Sequence, residues 1–172
     1  MNIPVILGTA REGRQSEKVA NYLLGALKEA GHVSEIIDVK EYAPAITART
    51  DKTPKAKKYK DKIVKADALL IVTPEYNHGY PGELKLLLDL LYAEYADKPV
   101  GFAGVSGGPL GGSRAVEQLR QVVIEFHMIP VREALYFGAV QNLFDEKGAM
   151  KDAGMKDRVL KLLDNLARHV KK

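Results

Sequence analysis

Apolar residues in this chain alternate between two rhythms. Short apolar runs at residues 3–7, 36–39, 68–72 and 100–105 read as strands buried on both faces, and residues 130–135 are a candidate fifth. Between them, apolar positions recur at helical spacing. They are Val19, Leu23, Leu24 and Leu27, then Ile63 and Ala66 closing a lysine-rich stretch. The leucine run from Leu84 to Leu91 follows, then Val116, Leu119, Val123 and Phe126, and finally Val159, Leu163, Leu166 and Val170. Five strand–helix units with short connections predict a parallel sheet covered by helices on both faces. The chain shows no internal repeat, low-complexity tract or linker, so residues 1–172 are expected to form one domain, with 43–54 an irregular surface loop.

Composition narrows the class. At 172 residues and 46% apolar, the chain can bury a real core. No segment approaches the roughly 18 uninterrupted apolar residues of a membrane helix, so no membrane partner is expected. The opening residues lack a basic region and a small-residue cleavage site, and are expected to be a first strand rather than a leader. With no cysteine, disulfides, thiol nucleophiles and iron–sulfur clusters are excluded. A cytoplasmic enzyme is the expectation. The net charge of +4 suits small phosphate-bearing molecules; no nucleic-acid partner is expected. The histidines at 32, 78, 127 and 169 are scattered, and no metal site is expected.

Unusual residues concentrate in three connections, at 8–16, 74–82 and 106–114. In a 2-1-3-4-5 strand order these follow neighbouring strands, and so converge on the crevice where open α/β sheets bind ligands. In the first, helix-start amides, the hydroxyls of Thr9 and Ser16 and the Arg11 guanidinium can together hold a phosphate. The plainer reading makes Ser16 an N-cap and the arginines solvated. Arg14-Gln15 stands where a Walker A loop needs Lys and Ser or Thr, and no Gly-x-Gly is present, so neither nucleotide fingerprint applies. The second, Pro74-Glu75-Tyr76-Asn77-His78-Gly79-Tyr80-Pro81-Gly82, joins two prolines, two glycines and two tyrosines into a rigid connection that suits a planar ligand. His78 is expected to be a polar contact only.

This second segment resembles the isoalloxazine-binding loop of the NAD(P)H-dependent FMN reductases. Gly8, Thr9 and Arg11 resemble that family's G-[ST]-x-R phosphate loop, and Ser106-Gly107-Gly108 through Gly111-Gly112-Ser113-Arg114 resembles its third flavin loop. The sequence departs from relatives at Arg14 and Ser16, where Ser and Asn are common, and at Leu86, where Asn is common. The resemblance implies a flavodoxin-like three-layer sandwich of class α/β, with a five-stranded parallel sheet in the order 2-1-3-4-5. It implies FMN bound by Thr9, Arg11, Arg14, Gln15 and Ser16 at the phosphate, Pro74, Glu75, Tyr76 and Asn77 at the flavin edge, and Ser106, Gly107 and Gly108. The flavin would carry the chemistry, with no catalytic side chain. NADPH or NADH would be the hydride donor, and a quinone, azo compound, metal oxyanion or free flavin the small-molecule acceptor. It also implies a homodimer or homotetramer, with the helix after Pro81, Tyr92 and Tyr95 near the interface. The surplus of leucines from 84 to 91 supports this, since they cover more than one helix face.

Two rival classes remain. One is a non-catalytic electron carrier of flavodoxin type. The other is a serine hydrolase, because Gly104-Val105-Ser106-Gly107-Gly108 fits the Gly-x-Ser-x-Gly elbow. Against it, glycines intervene where a helix should start at the serine, and His169 falls on the closing helix rather than a loop. The lysines from 52 to 65 read as a solvated helix face, or more sharply as an attraction for anionic NADPH.

Overall fold

The computed structural model describes residues 1–46 and 53–170. Five strands, β1 (Val5–Leu7), β2 (Ile36–Asp38), β3 (Leu69–Pro74), β4 (Pro99–Val105) and β5 (Ile129–Phe137), form one parallel sheet in the order β2-β1-β3-β4-β5. β3 and β4 are buried at every residue, which is why they read as unbroken apolar runs. Among the described residues six helices cover the sheet: α1 (Ser16–Glu29), α2 (Val39–Tyr42), α3 (Pro54–Lys65), α4 (Gly82–Leu88), α5 (Ser113–Glu125) and α6 (Met155–His169). On one face Leu23 and Leu27 of α1 and Leu162 and Leu166 of α6 pack on Val5, Leu70 and Ala103. On the other, Tyr59, Leu84, Leu87 and Leu119 from α3, α4 and α5 pack on Ile6, Ile71 and Phe102. The expected three-layer fold and strand order are borne out.

β5 runs longer than the 130–135 expected, and a bulge shifts its register on β4 between Val100 and Phe102. Arg120 of α5 meets the shift by donating to the carbonyls of Val131 (2.7 Å) and Arg132 (2.8 Å). Past it, Phe137 pairs in register with Val105, which brings the ends of β4 and β5 together at the sheet's carboxyl edge.

The leucine run needs correction. α4 ends at Leu88, and the chain tightens into three-residue turns, with Leu90 N–H on the Leu87 carbonyl (3.2 Å) and Leu91 N–H on that of Leu88 (3.3 Å). This re-aims the last leucines, so that Leu84, Leu87, Leu88, Leu90 and Leu91 are all buried within the chain. Leu86 stays half-buried, so burial within the chain accounts for five of the six leucines. Tyr95 is also fully buried, its hydroxyl 2.5 Å from that of Tyr59, and presents no surface of its own to a partner. Lys52 lies outside the described residues. Lys55, Lys57, Lys58 and Lys65 of α3 face solvent, while Lys60 and Lys62 pair with Glu94 and Glu35.

Candidate functional site

The loop between β1 and α1 is folded by its own side chains. Gly8 is required, because a Cβ there would lie 2.8 Å from the Val72 carbonyl. Thr9 is fully buried; its hydroxyl donates to Glu83 (3.1 Å) and accepts from the Tyr76 hydroxyl (2.9 Å). Glu83 also accepts the Ala10 N–H at 2.9 Å. Arg14 turns inward with its side chain only 4% exposed. It donates to the Thr9 carbonyl (2.6 Å), to both oxygens of Asp38 at the end of β2, and to Glu17 (3.5 Å). Burial alone would raise the Asp38 carboxyl, but hydrogen bonds from Arg14 and the Lys40 N–H outweigh it and hold it below its ordinary value. The same bond to Asp38 raises Arg14.

Arg14 is thereby committed to the protein, whereas Arg11 stays at the surface with its guanidinium 5.6 Å from the Tyr76 ring centroid. No side chain caps the start of α1. Ser16, the first residue of that helix, is 2% exposed, and its hydroxyl has no hydrogen-bond partner. A buried polar atom without a partner at an uncapped helix start is an unfilled demand for a ligand oxygen.

After β3 the chain makes a two-residue turn, with Tyr76 and Gly79 exchanging backbone hydrogen bonds of 2.8 and 3.0 Å. Asn77 (φ 49°) and His78 (φ 68°) are both left-handed, the requirement of a type I′ turn. Gln118 of α5 donates to the His78 carbonyl at 3.0 Å and holds the turn down.

The glycines after β4 do two jobs. At Gly104 a Cβ would lie 2.4 Å from the Gly111 carbonyl, and at Gly112 (φ 80°) it would lie 2.6 Å from the Val105 nitrogen. These residues let the loop fold back on its own strand. Only Gly107 and Gly108 look onto open space. The expectation that the glycines admit a flat ring therefore applies to those two and not to Gly111 or Gly112. The Ser106 hydroxyl donates to the Gly108 carbonyl (2.8 Å), and no histidine lines the cleft among the described residues, so nothing there activates a serine nucleophile.

These loops enclose a cleft of about 350 Å³ at the carboxyl edge of the sheet. Nine of the twelve residues expected at the site line it: Arg11, Arg14, Gln15, Ser16, Pro74, Glu75, Tyr76, Ser106 and Gly107. Thr9 lies behind the wall as a brace. Asn77 rides at the turn tip, and Gly108 stands outside. A fourth wall, Val140 and Gln141 after β5, escaped the sequence reading, as did Glu12, Gly13 and Val105. Its signal was Gly138, where a Cβ would lie 2.4 Å from the Pro109 carbonyl. Among the described residues no cluster of His, Cys, Asp and Glu could hold a metal ion.

A sequence profile of the NADPH-dependent FMN reductases matches residues 1–142. The chain belongs to this family. It is 33% identical over 161 residues to a quinone reductase of Pseudomonas putida, covering 88% of this chain and 85% of that one. In fold it is similar to FerB, a flavoenzyme NAD(P)H:(acceptor) oxidoreductase of Paracoccus denitrificans, with a TM-score of 0.81 at 22% identity over 98% of both chains. It also matches a flavodoxin of Pseudomonas aeruginosa, with a TM-score of 0.59 at 19% identity over 100% of both chains. As a member of the family the chain is an NAD(P)H-dependent oxidoreductase with FMN as cofactor. The cleft fits that cofactor: an anion-seeking helix start at one end, and bare glycine backbone with a tyrosine at the other.

Proposed function

We propose that the cleft holds FMN with its phosphate at the start of α1 and its ring between Tyr76 and the Ser106-Gly107 segment, and that the acceptor is a quinone or a free flavin. The observation that carries this reading is the buried, unpartnered Ser16 hydroxyl in the same cleft as the exposed Arg11 guanidinium. Ser16 and Arg11 bind the phosphate, with Gln15 at the helix start. Pro74, Glu75, Tyr76 and Asn77 frame the ring edge, and Gly107 gives it flat backbone to lie on. Thr9 and Arg14 act at one remove, fixing the shape of the phosphate loop. The bound flavin supplies hydride acceptance and donation; the protein supplies orientation and exclusion of water.

A quinone acceptor agrees with the Pseudomonas putida relative. Because the donor is a cytoplasmic metabolite, a cytoplasmic enzyme is part of the reading. Self-association to a dimer or tetramer is also part of it. Its support is no longer the leucines but half-buried Tyr92, beside the last turn of α5 where Ile124 is 59% exposed.

The test starts with FMN titration of the apoprotein, followed by steady-state NADPH or NADH oxidation with benzoquinone. Donor and acceptor share the one open side of the cleft, above Tyr76-Asn77-His78 and Ser106-Gly107. Double-reciprocal plots at several quinone concentrations should therefore be parallel. Failure to bind FMN would overturn the whole reading, and clearly intersecting lines would overturn the shared face.

A further inference from the structure

α5 begins at a residue that cannot cap it. Gly112 must be glycine, for the φ and the close approach to Val105 given above, so the N-cap position has no side chain to offer. The first turn of a helix nevertheless presents N–H groups that need acceptors. Glu75, from the loop after β3, supplies one from outside. One carboxylate oxygen accepts the Arg114 N–H (3.1 Å), and the other accepts the Arg114 guanidinium (3.0 Å). The Glu75 side chain is 10% exposed and that of Arg114 is 46% exposed. Glu75 lines the cleft and Arg114 does not.

The two bonds have separable consequences. The backbone bond caps the helix and ties the second loop to the third. The guanidinium bond neutralises a carboxylate that otherwise stands bare in the cleft wall. A hydride carries two electrons and one proton, so the group that accepts it gains one negative charge while the nicotinamide leaves as a cation. An uncompensated carboxylate nearby opposes that gain, and does so more strongly in a partly desolvated cleft than in water.

We propose that Arg114 is a positioning residue that sets the reduction potential of the bound flavin by compensating Glu75. This rests on the reading that the cleft holds FMN. It is distinct from a cap, which needs only the backbone N–H.

Two variants separate the roles. Arg114→Gln keeps the backbone cap and removes the compensating charge. Glu75→Gln keeps an oxygen acceptor and removes the carboxylate. The flavin-loaded proteins are titrated against a reference dye for potential, and oxidised FMN affinity and melting temperature are measured alongside. In Arg114→Gln the affinity for reduced relative to oxidised FMN should fall about tenfold, a potential about 30 mV more negative for a two-electron couple. Arg114→Lys should restore it. Glu75→Gln should move the potential the other way, and the double variant should return close to the parent. Potentials that stay put while melting temperature falls would leave only a helix cap and overturn the inference, as would shifts of the same sign in both single variants. If the parent protein takes up no FMN, the flavin reading itself falls and this inference with it. If it takes up FMN and the potentials do not respond, this inference alone falls.

Discussion

The loops after β1 and after β4 turn at the same edge of the sheet, but side chains shape the first and their absence shapes the second. In the first, the Arg14 guanidinium fills the inside of the turn and joins the Thr9 carbonyl to Asp38 on the neighbouring strand. In the second, Gly104, Gly111 and Gly112 let backbone pack on backbone at distances that admit no Cβ. The difference decides how each fails. The first loop loosens when a charge is removed or titrated; the second is displaced bodily when an atom is added.

The sharpest way to break this comparison is Gly112→Ala. The new methyl would meet backbone rather than a movable side chain, and the residue is held at φ 80°. A cost of about 3 kcal/mol is expected, read as a lower urea midpoint with an unchanged slope. A near-neutral result would show that the third loop can shift, and the contrast would fail. Arg14→Met should cost less, about 2 kcal/mol. It leaves the Thr9 carbonyl without its guanidinium donor and Asp38 with the Lys40 N–H alone, but the Asp38 side chain is 25% exposed and water reaches it. This loop should also respond to pH. The folded pKa of Asp38 lies below its ordinary value near 3.8. Its contribution is therefore fully present above that value and is lost as pH falls through the lower folded pKa. Asp38→Asn should flatten the acid limb of stability against pH. An unchanged limb would mean that other carboxylates govern it.

The sequence was most legible where burial is symmetric. β3 and β4 announce themselves because helices cover both faces, and the three unusual loops follow from the strand order that those runs imply. It was least legible where a role depends on a distant partner. Arg14 reads as a phosphate ligand until β2 pairs with β1 and brings Asp38 to it. Glu75 and Arg114 stand 39 positions apart, and only the β3–β4 pairing makes them neighbours. The leucines after 84 look like two helix faces because local periodicity cannot show that α4 ends at Leu88. Glycines are hardest to read. The one letter means close packing at Gly112 and open space at Gly108, and no local pattern distinguishes them.

Binding sharpens the contrast at smaller scale. Within the first loop Arg14 is spent on structure and Arg11 is exposed, so Arg11→Ala should leave the fold intact and weaken FMN about tenfold, at the low end for a charge-assisted contact. Riboflavin, which lacks the phosphate, should bind the parent and the variant alike. Equal losses for both flavins would place Arg11 at the ring through Tyr76 rather than at the phosphate.

The smallest effect tests whether the open glycines serve the ligand. At Gly107 a Cβ would meet only the Gln141 side-chain oxygen at 3.8 Å, an ordinary contact, and at Gly108 it would meet nothing. Neither residue has a left-handed backbone, so alanine at either should change stability by no more than about 0.5 kcal/mol. Gly107 lines the cleft and Gly108 does not. If the flavin ring lies against that backbone, the Gly107→Ala methyl crowds it and costs about 1 kcal/mol, roughly fivefold in FMN affinity. Gly108→Ala should bind FMN as the parent does. Fluorescence titration of both variants, beside their unfolding curves, separates the possibilities. A Gly107→Ala protein that binds FMN as tightly as the parent would move the ring away from this loop, and leave the bareness of Gly107 without a ligand to explain it.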